Sequence, residues 1–160
     1  MLQRIQTIYL ILAMATLMMP FLGDIFTLEF SGRALYGVGV VSGSDLIKQT
    51  VLAGLEGFHL VSIIGLFLNI FLIVFVIFQF KKRPLQLKLI RVAHLLTLAV
   101  LVYWFIKAGE ISEQFSGVET LNVAYGMLFY GPVGAVAFLI LAQKAVKKDE
   151  DLVKSLDRLR

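Results

Sequence analysis

Four long stretches of the chain contain no charged residue, and they dominate its pattern of hydrophobic and polar positions. They lie between Arg4 and Asp24, Glu56 and Lys81, Arg91 and Lys107, and Glu119 and Lys144, with 19, 24, 15 and 24 residues. A bilayer core of about 30 Å needs roughly 20 helical residues. The third run is short, but the basic residues that bound it can extend their charged ends outward. The pattern predicts four transmembrane helices at 5–22, 58–80, 89–106 and 121–142.

The loop between the first two predicted spans, residues 23–57, has a pattern of its own. Apolar and polar residues alternate over 26–31, which is the period of a strand, and residues 34–41 can return as a second strand. From Ile47 to Phe58 the apolar residues recur at helical spacing. We therefore expect a small β-hairpin followed by a short amphipathic helix. The hairpin would serve either as a lid on the bundle or as an edge offered to another protein.

Composition supports the same class of protein. Of the 160 residues, 59% are hydrophobic and only 16% are charged, whereas soluble domains are about 45–50% apolar and about 25% charged. The chain has no cysteine, which excludes disulfides and cysteine-ligated metals. The fold class predicted is an all-α membrane protein with four transmembrane helices and a β-hairpin in the first external loop.

The basic residues predict the orientation. Twelve lie at the N-terminus, in the connection between spans two and three or in the C-terminal tail, and three lie on the opposite side. By the positive-inside rule both termini are cytoplasmic. The net charge of +4 mostly reflects this sorting, and we expect no binding of nucleic acid.

The C-terminal tail, residues 143–160, reads as a charged amphipathic helix that continues span four. Leu152, Leu156 and Leu159 form one apolar stripe, which makes them candidates for docking. Two outcomes are open, because such a helix can lie along the inner membrane surface or dock on a cytoplasmic protein.

Within the spans, polar and small residues predict helix packing. Asn69 is expected to form an interhelical hydrogen bond, with Gly65 on the same face allowing close approach. In span four, Gly131 and Pro132 predict a kink, and Gly134 a close contact with a neighbouring helix.

Ionisable residues point to one further candidate site. Arg91 and His94 are three residues apart near the inner end of span three, so they share a helix face and could meet a lipid phosphate at the inner leaflet. His59 lies near the outer end of span two, on the opposite side of the membrane from His94, so the two histidines cannot share a metal. Tyr103 and Trp104 precede Lys107 and predict an aromatic belt at the outer interface. No catalytic residues, metal site or cofactor site are expected.

Three stretches of sequence carry a family resemblance: MLQRIQTIYL at residues 1–10, KRPLQLK at 82–88 and KDEDLVKSLDRLR at 148–160. Together they resemble a Bacteroidota family of small integral membrane proteins, classed as a domain of unknown function with four predicted spans. The closing Asp-Arg-Leu-Arg is the most recognisable feature. The resemblance covers essentially the whole chain and implies the inner membrane of a Gram-negative bacterium, without any activity or catalytic residue to carry over.

The hypothesis that follows is a non-enzymatic inner-membrane subunit, adaptor or small regulator that docks through its helix faces and its cytoplasmic tail. Its partners would be the lipid bilayer and a membrane or cytoplasmic protein bound through tail 143–160. The alternative is a small transporter or a lipid- or quinone-binding four-helix bundle. Its site would lie between spans two and four, near Asn69 and the Pro132 kink.

Overall fold

The computed structural model describes residues 2–30, 33–39, 57–80, 82–114 and 121–157. Within them lie four long helices: α1 (Leu2–Met18), α2 (Phe58–Phe78), α3 (Arg83–Gln114) and α4 (Tyr130–Asp157). Two short 3₁₀ helices, Met19–Leu22 and Met127–Phe129, extend α1 and precede α4. Three strands complete the described chain: β1 (Asp24–Phe30), β2 (Arg33–Gly39) and β3 (Leu121–Tyr125).

Four helical segments are long and apolar enough to cross a membrane: Ile5–Leu22, Phe58–Phe78, Arg83–Glu110 and Met127–Ser155. This confirms the prediction of a multi-pass membrane protein with four membrane-crossing helices. Many large apolar side chains remain on the outside of the bundle, including Phe71 at 70% exposure. Such residues are the expected lipid-facing surface, because lipid tails are as apolar as the side chains themselves.

The helices form a four-cornered bundle in which α1 and α3 each pack against both α2 and α4. One end of it, which we call the tail end, holds the start of α1, the α2–α3 connection and the end of α4. There the Gln6 side chain donates to the carbonyl of Ala145 (3.4 Å), and Arg83 pairs with Asp149 (3.2 Å). The three strands lie at the opposite end, the sheet end.

The three strands form one antiparallel sheet in the order β2-β1-β3. The register between β1 and β2 shifts after Asp24, and the adjacent residues Ile25 and Phe26 are both fully buried. The Phe26 ring lies 5.7–5.9 Å from those of Phe58, Tyr125 and Phe129. The sheet therefore closes the end of the bundle through aromatic packing, as a lid would.

The predicted hairpin is confirmed, but the predicted start of the fourth helix at residue 121 is wrong. Residues 121–125 form β3, which pairs with β1 from Phe30 opposite Leu121 to Phe26 opposite Tyr125. A short apolar segment is suited to a membrane helix and to a strand alike. Residues 121–125 form a strand because they pair with β1. The amphipathic helix predicted from residue 47 lies outside the described residues.

The predicted kink at Pro132 is also wrong, because this proline lies in the first turn of α4 rather than in a helix interior. The first four N–H groups of a helix have no intrahelical acceptor, so a proline there breaks no hydrogen bond. Pro132 is therefore compatible with the first turn of α4. The backbone N–H of Gly126, just before this start, bonds the carbonyl of Ile25 in β1 (2.8 Å).

Contacts between α2 and α3 set the relative depth of their residues. The two helices run in opposite directions, and Asn69 of α2 contacts Thr97 of α3. Helix α2 ends at Phe78, nine residues after Asn69. Phe78 therefore lies at the same depth as Lys88, which is nine residues before Thr97 in α3. Helices α3 and α4 are joined by the contact between Arg83 and Asp149. Lys88 is five residues after Arg83 and Lys144 is five residues before Asp149, so Lys144 of α4 lies at the same depth as Lys88. Because the apolar run of α2 ends here, we take this level as the tail-side boundary of the hydrocarbon region.

Candidate functional sites at the tail end

The polar residues at mid-depth are used to join helices. The Asn69 side-chain amide donates to Oγ1 of Thr97 (2.7 Å), and that hydroxyl donates to the carbonyl of Ala93 (2.8 Å). Asn69 and Thr97 are fully buried, and Oδ1 of Asn69 has no partner among the described residues. Asn69 therefore lies at the α2–α3 interface, where its amide links the two helices.

Trp104 is a residue whose role sequence reasoning missed. The indole N–H donates to Oγ of Ser62 (2.9 Å), and the side chain is fully buried between α2, α3 and the aromatic cluster at the sheet end. The prediction that Trp104 belongs to an interfacial belt is wrong. Its position near a helix end suited a belt, but the buried hydroxyl of Ser62 provides a partner inside the bundle.

The three candidate packing glycines differ in how closely a neighbour approaches. A Cβ added at Gly131 would lie 2.5 Å from the backbone carbonyl oxygen of Thr16 in α1. A Cβ at Gly65 would lie 3.0 Å from a methyl group of Val100 in α3. A Cβ at Gly134 would lie 3.5 Å from Thr16 Cγ2, which is an ordinary contact distance. Of the three glycines, Gly131 is thus the one with the least room for a side chain.

The site suggested for a transporter or a lipid- or quinone-binding bundle is not assembled. Asn69 bonds to α3, whereas Pro132 lies at the sheet end of α4, next to the contact between Gly131 and α1. The two residues lie on different interfaces and at different depths. In the described part of the chain, no cluster of three or more histidine or acidic side chains could hold a metal ion.

At the tail end, an ion pair fixes α4 to the start of α3. Nε of Arg83 lies 3.2 Å from Oδ2 of Asp149, and Nη1 of Arg83 donates to the Asp149 backbone carbonyl (3.4 Å). The side chains of Arg83 and Asp149 are 25% and 12% exposed. We call this contact the clamp, and its partners, 66 residues apart in sequence, carry no local signal by which a pattern could pair them.

Removing one charge of the clamp should lower the stability of the bundle. Asp149→Asn should lower the free energy of unfolding by about 1–2 kcal/mol, because a half-buried arginine loses its charged partner. The matched control is Glu150→Gln, which breaks the i,i+4 pair within α4 between Glu150 and Lys154, whose lysine is 63% exposed, and should cost less than about 0.5 kcal/mol. Unfolding in detergent micelles measures both, and equal losses in the two variants would show that the clamp is no stronger than an ion pair within one helix.

Beyond the clamp, α4 carries an exposed surface that is both basic and apolar. An open hollow of about 500 Å³ is lined by Lys144, Lys147, Lys148, Asp151, Leu152 and Ser155. Leu152 is 45% exposed and Val153 is 38% exposed. Of the other predicted docking leucines, Leu156 lies in α4 without a described side chain, and Leu159 lies outside the described residues.

The structure brings Arg91 and His94 together in a second, smaller cleft between α3 and α4. Arg91, His94, Leu95 and Gln143 line it, and its volume is about 250 Å³. Nδ1 of His94 is buried without a hydrogen-bond partner among the described residues. Sequence reasoning missed Gln143, although a glutamine next to Lys144 is a polar interruption of the apolar run.

A family model described as a domain of unknown function (DUF4293) matches residues 2–159. The chain therefore belongs to this family, which confirms the predicted membership of a family of unknown function over nearly the whole sequence. No curated protein and no solved structure matches the chain.

Proposed function

We propose that this DUF4293 member is a non-enzymatic inner-membrane subunit, adaptor or small regulator of a Bacteroidota bacterium, which docks a partner protein on the tail of α4. The observation that carries the proposal is the continuation of α4 as one helix to Asp157. From Lys144, at the tail-side boundary, to Asp157 the helix rises about 20 Å. It therefore holds its exposed Leu152 well outside the hydrocarbon region.

The distribution of charge supports a cytoplasmic tail end. Four basic residues, Lys82, Arg83, Lys88 and Arg91, lie at or near the start of α3, and Lys144, Lys147, Lys148 and Lys154 lie on the last turns of α4. The positive-inside rule assigns the side with the excess of basic residues to the cytoplasm. The sheet would then face the periplasm.

The shape of α4 favours docking on a protein over lying along the membrane. A tail that lay on the membrane surface would have to turn sharply away from the direction of the span. Sharp turns in helices arise at proline, at glycine or at π-bulges, and residues 135–157 contain neither glycine nor proline. The clamp further ties the base of the tail to α3.

The packing of the bundle interior gives less support to the transporter alternative. The donor groups of Asn69, Thr97 and Trp104 form hydrogen bonds between α2 and α3 or within α3. A transport or quinone site needs polar groups that converge on a cavity, whereas these side chains face one another.

Photo-crosslinking in living cells tests the proposal. A photoreactive amino acid at Leu152 should produce one adduct of discrete mass with a protein, since this exposed residue lies in the proposed docking surface. The same amino acid at Phe71, a lipid-facing residue about 10 Å inside the boundary, should give lipid adducts. The full-length protein purified after mild crosslinking should carry the same partner in fixed stoichiometry.

Truncation after Glu150 sharpens this test, because it removes the apolar part of the docking surface, including Leu152 and Val153, but keeps both partners of the clamp. The truncated chain should reach the membrane at normal levels and lose the partner, whereas Glu150→Gln in the full chain should retain it. Adducts with lipid alone at position 152 would instead place the tail on the membrane surface. A monomer without protein partners that carries a co-purified quinone would favour the alternative.

A further inference from the structure

We propose that the cleft lined by Arg91, His94, Leu95 and Gln143 binds the phosphate group of an anionic phospholipid in the leaflet at the tail end. This inference concerns a lipid ligand on the side of the bundle and does not depend on the docking of a protein on the tail. It rests on the chemistry of the lining residues, on an unpartnered nitrogen and on the depth of the cleft.

The cleft combines three kinds of group that suit a phosphodiester. Arg91 is exposed, and no carboxylate among the described residues pairs with it, so its guanidinium is available for two parallel hydrogen bonds to phosphate oxygens. Gln143, on the neighbouring helix, supplies an amide N–H₂ donor. An anion at this place would therefore be held from both α3 and α4.

His94 adds a donor with a defined direction. Its Nδ1 is buried and has no partner among the described residues, although the side chain lines the cleft. A buried N–H without an acceptor is costly, which favours the tautomer that carries its proton on Nε2. That N–H is then available to a phosphate or ester oxygen in the cleft.

The depth of the cleft distinguishes a lipid from a free phosphate ion. Arg91 and His94 lie three and six residues inside Lys88, which places their Cα atoms about 4.5 and 9 Å within the hydrocarbon boundary. From there Arg91 can extend its side chain to the headgroup layer. Leu95, one turn beyond Arg91 and 66% exposed, offers an apolar surface for the acyl chain of the same lipid.

Native mass spectrometry of the full chain tests the site, with phosphatidylglycerol added to protein in detergent micelles. We expect one phosphatidylglycerol to bind in preference to phosphatidylcholine, and millimolar sodium phosphate not to displace it. Arg91→Gln should weaken this binding about tenfold, since a charge-assisted hydrogen bond is lost. Arg91→Lys should restore part of the affinity, because lysine keeps the charge without the planar fork.

Lys88→Gln is the matched control, because it removes the same charge from the same helix about one turn away and outside the cleft lining. It should change the affinity less than about twofold. Equal weakening by Lys88→Gln and Arg91→Gln would overturn the proposal in favour of diffuse attraction to a basic surface. Displacement by sodium phosphate would show a site for the free ion, and equal binding of phosphatidylcholine would remove the preference for anionic lipid.

Two further variants keep the test valid if Arg91→Gln does not fold. His94→Leu and Gln143→Leu remove one neutral donor each, from α3 and α4 respectively, and replace it by an apolar side chain that the membrane tolerates. Each should weaken phosphatidylglycerol binding about threefold to tenfold while the thermal midpoint without added lipid stays unchanged. Wild-type affinity in both variants would contradict a site formed between the two helices.

Discussion

Replacing Trp104 by alanine is expected to lower the free energy of unfolding by about 3–5 kcal/mol, which is the usual cost of emptying a fully buried aromatic site. Trp104 has no exposed surface, lies 6.0 Å from the ring of Phe129 and donates to Ser62. The variant would lose the contacts of the ring with its neighbours and leave the Ser62 hydroxyl without its donor. Unfolding by titration with a denaturing detergent measures the loss.

Trp104→Phe separates the two contributions, because it keeps most of the ring and removes the N–H. Hydrogen bonds between membrane helices contribute about 0.6 kcal/mol on average and up to about 1.7, so this variant should lose far less than Trp104→Ala. In the same helix, Ile106→Ala serves as the lipid-facing control, since Ile106 is 55% exposed, and should change stability by no more than about 0.5 kcal/mol. A similar loss in Ile106→Ala and Trp104→Ala would contradict the burial of Trp104.

Gly131→Ala is expected to destabilise the bundle by about 1–3 kcal/mol, the usual cost of adding a methyl group to a closely packed site. The new Cβ would lie 2.5 Å from the carbonyl oxygen of Thr16 and 3.1 Å from Cβ of Met19. These atoms belong to the backbone of α1 or lie next to it, so they cannot move aside as a flexible side chain could. Helices α1 and α4 must separate at the sheet end, and the thermal midpoint in detergent micelles should fall.

Gly134→Ala is the matched control, because it makes the same chemical change three residues further along the same helix and faces the same Thr16. Here the added Cβ would lie 3.5 Å from a methyl group, an ordinary contact. Since alanine favours a helix over glycine by about 1 kcal/mol, this variant should be neutral or slightly stabilised. If both variants changed stability equally, the close approach at Gly131 would have no energetic consequence.

The number of membrane-crossing helices could be predicted from the sequence because it depends on local composition. A run of apolar residues long enough to span a bilayer favours a transmembrane helix, independently of the segments that pack against it. For the same reason the hairpin of β1 and β2 was predictable, since its strands are close in sequence and alternate apolar and polar residues over 26–31. Arg91 and His94 could be grouped in advance because a helix brings residues three apart to one face.

Other features depend on residues that are distant in sequence, and these only the three-dimensional fold could settle. Residues 121–125 are apolar enough for a helix, yet they form a strand because β1 offers them an unpaired edge about 95 residues earlier in the chain. Trp104 suits an interface by position, yet it turns inward to Ser62, 42 residues away. Gln143 completes the cleft with Arg91 only because α3 and α4 pack side by side. Hydrophobicity and local spacing thus determine which segments are helical and enter the membrane, whereas hydrogen-bond partners and steric fit between distant segments determine where each side chain points.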